Sequence, residues 1–163
     1  MDATVNTVNE SQLKGVERMY HYTDCRLDYV YLKNGYVGME TAYGPASGIT
    51  DVEGLHRVIG VYLVKYKPRL TGAEVRFLRN HLDLSQGYLG QLIGVAENSV
   101  RAWENLRGRI AKPAERLLRA LVIGKVHSVE ISELLEQILH LNRDAYQNRL
   151  ELEETASGWM VAG

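Results

Sequence analysis

The chain has little of what several function classes require. Of its 163 residues one is cysteine, Cys25, so an intramolecular disulfide is excluded and a reducing compartment is expected. No apolar run approaches the roughly 20 residues that cross a bilayer, so no membrane partner is expected. The first residues lack the charged-then-apolar pattern of an export signal, and a cytoplasmic location follows as the expectation. Net charge is only −1, which on its face argues against a polyanionic partner. Internal repeats and low-complexity tracts are missing as well. What remains is an ordinary globular composition, 45% hydrophobic, long enough for one good-sized domain or two small ones.

The near-zero net charge is a sum of unlike parts. Residues 65–125 hold 12 Lys/Arg against 5 Asp/Glu, whereas residues 1–64 hold 5 against 8 and residues 126–163 hold 2 against 7. Acidic flanks therefore conceal a basic centre, the local surplus that phosphate neutralisation needs.

The same centre carries the most informative stretch, Leu82 to Glu104. Ser85 suits an N-cap, and Leu89, Leu92 and Ile93 share a face of the helix that follows. Gly94 can turn left-handed and redirect the chain. In the second helix Ala96, Val100 and Trp103 fall on one side, and Asn98, Arg101, Ala102 and Asn105 on the other. Two short helices about a glycine turn, the second with a polar outer face, form a helix-turn-helix whose recognition helix suits the DNA major groove.

Leu84-Ser85-Gln86, Leu89, Leu92-Ile93-Gly94-Val95, Val100 and Trp103-Glu104 together resemble the signature of the lambda-repressor-like (Xre) helix-turn-helix family, over roughly Thr71 to Leu141. The resemblance implies a five-helix DNA-binding domain in a mostly α protein with a small β-rich N-terminal module. It also implies a structural brace between Arg79 and Glu104. A small sheet-rich module before such a domain is similar to antitoxins of the MqsA (YgiT) type, which implies an autoregulating repressor with a toxin protein as a further partner. In that family paired cysteines of the module bind zinc. This chain has no Cys-x-x-Cys, so a family-type zinc site cannot be assembled, and no metal or cofactor is expected.

Candidate DNA contacts follow from position. Arg107, Arg109 and Lys112, after the recognition helix, are placed to reach phosphates. Gln86 and Ser99, at or near helix N-termini, correspond to family positions that hydrogen-bond the DNA backbone. Asn98 is the candidate for bidentate adenine recognition and matches a base-reading Asn of the antitoxin family. Arg101 would read guanine or a phosphate, Ala102 a thymine methyl, and Asn105 lies on the same face. Glu97 would accept from cytosine or act only on the helix dipole. The antitoxin family's base-reading Arg is replaced by Ala102, so its operator sequence does not carry over. One helix-turn-helix makes few contacts, so a homodimer on paired half-sites of double-stranded DNA is expected.

Four segments are expected: a disordered arm (1–19), a small α+β module (20–67), the helix-turn-helix domain (68–145) and a tail with a short strand (146–163). In the module, Asn34-Gly35 between Tyr31-Leu32 and Tyr36-Val37 reads as a hairpin turn, and residues 44–48 as a loop. Thr50 to Glu53 reads as a capping box opening a helix to Tyr66 with Val52, Leu55, Ile59 and Leu63 buried, closed by Pro68. Thr71 to Glu74 is a second capping box, opening a helix that buries Val75, Leu78 and Leu82. Pro113 opens another helix through Val122, and a further one spans about 128–145. Tyr20, Tyr22, Tyr29 and Tyr31 alternate, so half would face outward. A different class of function stays open: Cys25 with His21, Asp24 and His56 could serve a small thiol- or metal-dependent enzyme that uses the helix-turn-helix for targeting.

Overall fold

The computed structural model describes residues 19–126, 141 and 149–163. In chain order these form strands β1 (Tyr20–His21), β2 (Val30–Leu32), β3 (Tyr36–Thr41) and β4 (Gly44–Ile49) and helices α1 (Val52–Tyr66), α2 (Gly72–His81), α3 (Gln86–Ile93), α4 (Glu97–Glu104) and α5 (Lys112–Val126). Strands β5 (Leu150–Thr155) and β6 (Gly158–Val161) follow. The helix expected over 128–145 and the arm expected over 1–19 lie, apart from Leu141 and Met19, outside the described residues.

The sheet overturns the expected division of the chain. Its strand order is β1-β2-β5-β6, with β2 and β5 parallel and Val30 opposite Leu150. Parallel neighbours need a long crossover, and here the whole helical unit lies within it. The tail is therefore no separate segment: Leu150, Leu152 and Trp159 bury into one cluster with Val30 and Leu32 of the module. Alternation explains the register, since Leu150 and Leu152 face the core while Glu151 and Glu153 are only half-buried.

The Asn34-Gly35 bend does not join paired strands, and the reason is the tail. Asn34 Nδ2 donates to the Glu154 carbonyl at 3.0 Å, and the Glu154 N–H donates back to Asn34 Oδ1. Gly35 has φ +77°, and a Cβ there would overlap the Trp159 indole. The C-terminal hairpin thus takes the place beside β2 that β3 would have occupied, and β3 pairs with β4 instead. Residues 44–48, expected as a loop, form most of β4. Pro45 is tolerated because a two-stranded ribbon has only edge strands.

Helix α1 starts one residue later than the Thr50 box implies. Asp51 is the N-cap, accepting from the Gly54 N–H at 2.8 Å. Val52 is consequently 42% exposed, while Leu55, Ile59 and Leu63 are fully buried, each stabilising the fold by about 1.5–3 kcal/mol. The Thr71 capping box has both of its bonds.

Two buried ionic side chains join the module to the helical unit. Arg119 of α5 has no exposed surface; it donates to the carbonyls of Leu63, Val64 and Lys67 at the end of α1 and pairs with Glu115. Glu74 of α2 accepts from the Tyr29 hydroxyl and from the Thr71 N–H, and pairs with Lys67 at 3.2 Å. Both groups are fully hydrogen-bonded, the condition under which burying an ion is tolerated. Among the described residues no helix is long and apolar enough to cross a membrane.

Candidate nucleic-acid interface

Helices α3 and α4 build the site. Ser85 caps α3 by accepting from the Tyr88 N–H. Gly94 (φ +74°) ends it, with the Val95 N–H returning to the Gly90 carbonyl at 2.8 Å. Gly90 is needed for another reason: a Cβ there would lie 2.6 Å from the Val95 carbonyl oxygen. That contact lets α4 start directly against α3. Leu89 and Ile93 face the core, but Leu92, expected beside them, is 45% exposed. Ala96, expected on the dry side of α4, is its exposed N-cap.

Val100 and Trp103 of α4 are buried, while Glu97, Asn98, Arg101 and Asn105 are exposed and Ala102 and Ser99 half-buried. The exposed groups hold one another. Arg101 donates to Glu97 Oε1 at 2.6 Å and to Asn98 Oδ1 at 3.2 Å. An amide oxygen has a second lone pair, so Asn98 keeps one acceptor site and both Nδ2 hydrogens for a ligand. Asn105 is partly committed, its Oδ1 accepting from Arg76 at 3.2 Å.

Beneath this surface lies the brace. Arg79 donates to both oxygens of Glu104, at 2.6 and 3.0 Å, and to the Leu84 carbonyl at 2.8 Å. Gln86 corrects an expectation: its Nε2 donates to Glu104 Oε2 at 2.7 Å, so this amide is turned inward rather than toward a phosphate. Burial pushes the Glu104 carboxyl up, but the hydrogen bonds from Arg79 and Gln86 and the charges of Arg79 and Arg76 outweigh it and hold the carboxyl below its ordinary value. Arg76, which donates to the Glu104 carbonyl at 2.9 Å, was missed from the sequence. Its signal is the i, i+3 spacing from Arg79.

Arg107, Arg109 and Lys112 follow α4 and are exposed. They are redirected by Leu106, a non-glycine residue at φ +59°. The Arg107 N–H returns to the Ala102 carbonyl at 2.9 Å and the Leu106 N–H to that of Trp103, which closes a Schellman motif.

The second cluster is brought together in part: Asp24, Cys25 and His56 line one cleft of about 330 Å³, and His21 is not among its lining residues. Cys25 is buried, its thiol within reach of the carbonyls of Tyr22 and Leu27, and burial pushes its pKa up, away from the nucleophilic thiolate. His21 turns to the Asp28 carbonyl at 2.8 Å. His56 Nε2 and the Tyr22 hydroxyl share a hydrogen bond at 2.9 Å; burial lowers the His56 pKa and raises that of Tyr22 to about 12. Asp24 is exposed. No group of three metal-ligating side chains occurs among the described residues. Tyr22 and Tyr29 are buried, and Tyr20 and Tyr31 are half-buried. No family model, no curated protein and no solved structure matches the chain.

Proposed function

We propose that the protein is a sequence-specific DNA-binding repressor, antitoxin-like and autoregulating, that acts as a homodimer on a palindromic operator. The observation that carries this reading is the division of α4: Val100 and Trp103 dry, Asn98 and Arg101 presented outward on a helix braced by Arg79 and Glu104. A brace of three side chains on one buried carboxylate fixes the angle at which α4 leaves the body, and fixed geometry is what base reading requires.

Within this reading Asn98 contacts adenine, its Oδ1 shared with Arg101 and its Nδ2 donating to N7. Arg101 reads guanine once it exchanges Glu97 for the base. Arg107, Arg109 and Lys112 hold phosphates, and Ser99 supports them. Gln86 acts as a positioning residue through Glu104. The lambda-repressor-like fold of the helical unit and a toxin partner on the module belong to the same proposal.

The test is selection of bound duplexes from a randomised pool, followed by titration of the selected and a scrambled duplex at two salt concentrations. Asn98→Ala is expected to cost about 1–3 kcal/mol on the selected duplex and relax one base position, while Arg109→Ala weakens both duplexes alike and lowers the salt slope by about 1. No enriched sequence, or equal losses for the two variants on both duplexes, overturns the reading.

A further inference from the structure

Six of the twelve Lys/Arg in residues 65–125 are spoken for. Lys67, Arg76, Arg79, Arg101, Arg119 and Lys125 each pair with a carboxylate. Of the six others, four, Arg69, Arg109, Lys112 and Arg116, make no hydrogen bond or ion pair among the described residues and line one cleft of about 340 Å³, with Leu141 on its wall. They come from three places, the α1–α2 linker, the α4–α5 loop and the first turns of α5. Lys112 and Arg116 are four apart and share a face of that helix. The single carboxylate lining the cleft among the described residues, Glu115, is engaged by Arg119 through Nε and Nη2 at 3.1 and 2.6 Å.

This arrangement opposes the stability of the fold. Cations at the start of a helix meet the positive end of its dipole, and their mutual repulsion adds to that cost. An anion in the cleft would reverse both effects. Size selects the anion. A hollow of this volume is at the scale of small-molecule sites, whereas a duplex backbone is convex and would rest on the rim. We infer that the cleft is a binding site for a small oligophosphate, a molecule with two or three linked phosphate groups whose charge matches the four cations that line it. Because Arg109 and Lys112 are also the phosphate contacts of the DNA reading, an occupied cleft would compete with DNA; this consequence alone rests on that reading.

The probe is inorganic tripolyphosphate, titrated calorimetrically into the full chain at about 0.15 M ionic strength, where surface charge is largely screened. Saturable one-to-one binding is expected, weakened roughly tenfold or more by Arg69→Gln and by Arg116→Gln, as loss of a charge-assisted contact implies. Arg57→Gln, outside the cleft, should leave it unchanged. In a second arm tripolyphosphate displaces duplex DNA from the wild type but not from Arg116→Gln, which itself binds duplex within about twofold of wild type. Absence of saturable binding, or binding indifferent to both variants, overturns the site and leaves the DNA reading to its Asn98 test. Equal weakening of duplex and tripolyphosphate by the two variants also overturns it, by assigning the cleft to the DNA backbone.

Discussion

Arg101 is held by Glu97 in an exposed i, i+4 pair, an arrangement worth only a few tenths of a kcal/mol to the helix. Its consequence for binding is larger than for stability, because the carboxylate both occupies the guanidinium and repels phosphates. Glu97→Ala is therefore expected to tighten binding to scrambled duplex while leaving the melting temperature nearly unchanged, measured by fluorescence anisotropy and calorimetry. Glu104 is the opposite case. It is buried and accepts from Arg79 and Gln86, so Arg79→Ala leaves the carboxylate to Gln86 and Arg76 alone and should cost about 3 kcal/mol in a urea titration. Both residues were legible as a pair from the resemblance. The inward turn of Gln86 was not, because an amide at a helix start serves a phosphate or a neighbouring carboxylate equally well.

Three helices of the unit end in the same left-handed exit, at Asp83, Gly94 and Leu106. Only Gly94 was readable, since glycine alone enters that region without a Cβ penalty. Leu106 is 78% exposed, so its side chain contributes little packing to offset the strain. Leu106→Gly is expected to raise stability by up to about 1 kcal/mol, the relieved strain less the added entropy of the unfolded chain. The two glycines of the turn should behave differently. Gly94→Asn should be mild, because a Cβ meets nothing within 4 Å and Asn tolerates the conformation, whereas Gly90→Ala drives a Cβ into the Val95 carbonyl and should unfold or reorient α4. Chemical denaturation followed by near-ultraviolet dichroism distinguishes the two outcomes.

At the scale of the molecule, α1 lies between the sheet and the helical unit, and its contacts are where acid should act. His56 of α1 and His81 at the end of α2 are both lowered below their ordinary pKa by burial, His81 also by Lys125. A depressed folded pKa means the unfolded chain takes up the proton first. Their contribution is thus complete above about pH 6.5 and falls as the pH drops through and below that value. Glu104, also depressed, loses its contribution only below the ordinary carboxylate range. The thermal midpoint should fall between about pH 7 and pH 5, and the double variant His56→Gln, His81→Gln should flatten that slope. Removal of residues 150–163 should be far more damaging, because it takes out a central strand and the buried Leu150, Leu152 and Trp159.

Local patterns in the chain were enough to specify the Thr71 and Ser85 caps, the Gly94 turn, the two faces of α4 and the concealed positive charge of residues 65–125. Each of these depends on residues within a turn or two of one another, so periodicity and capping chemistry carry the information. The partners of β2, the role of Asn34-Gly35 and the burial of Arg119 were set by contacts spanning 50 to 120 positions. A strand's hydrogen-bonding edge is chemically the same whichever segment fills it. Which one does is decided by the packing of the folded chain, where Trp159 lies over Gly35 and the tail closes the sheet.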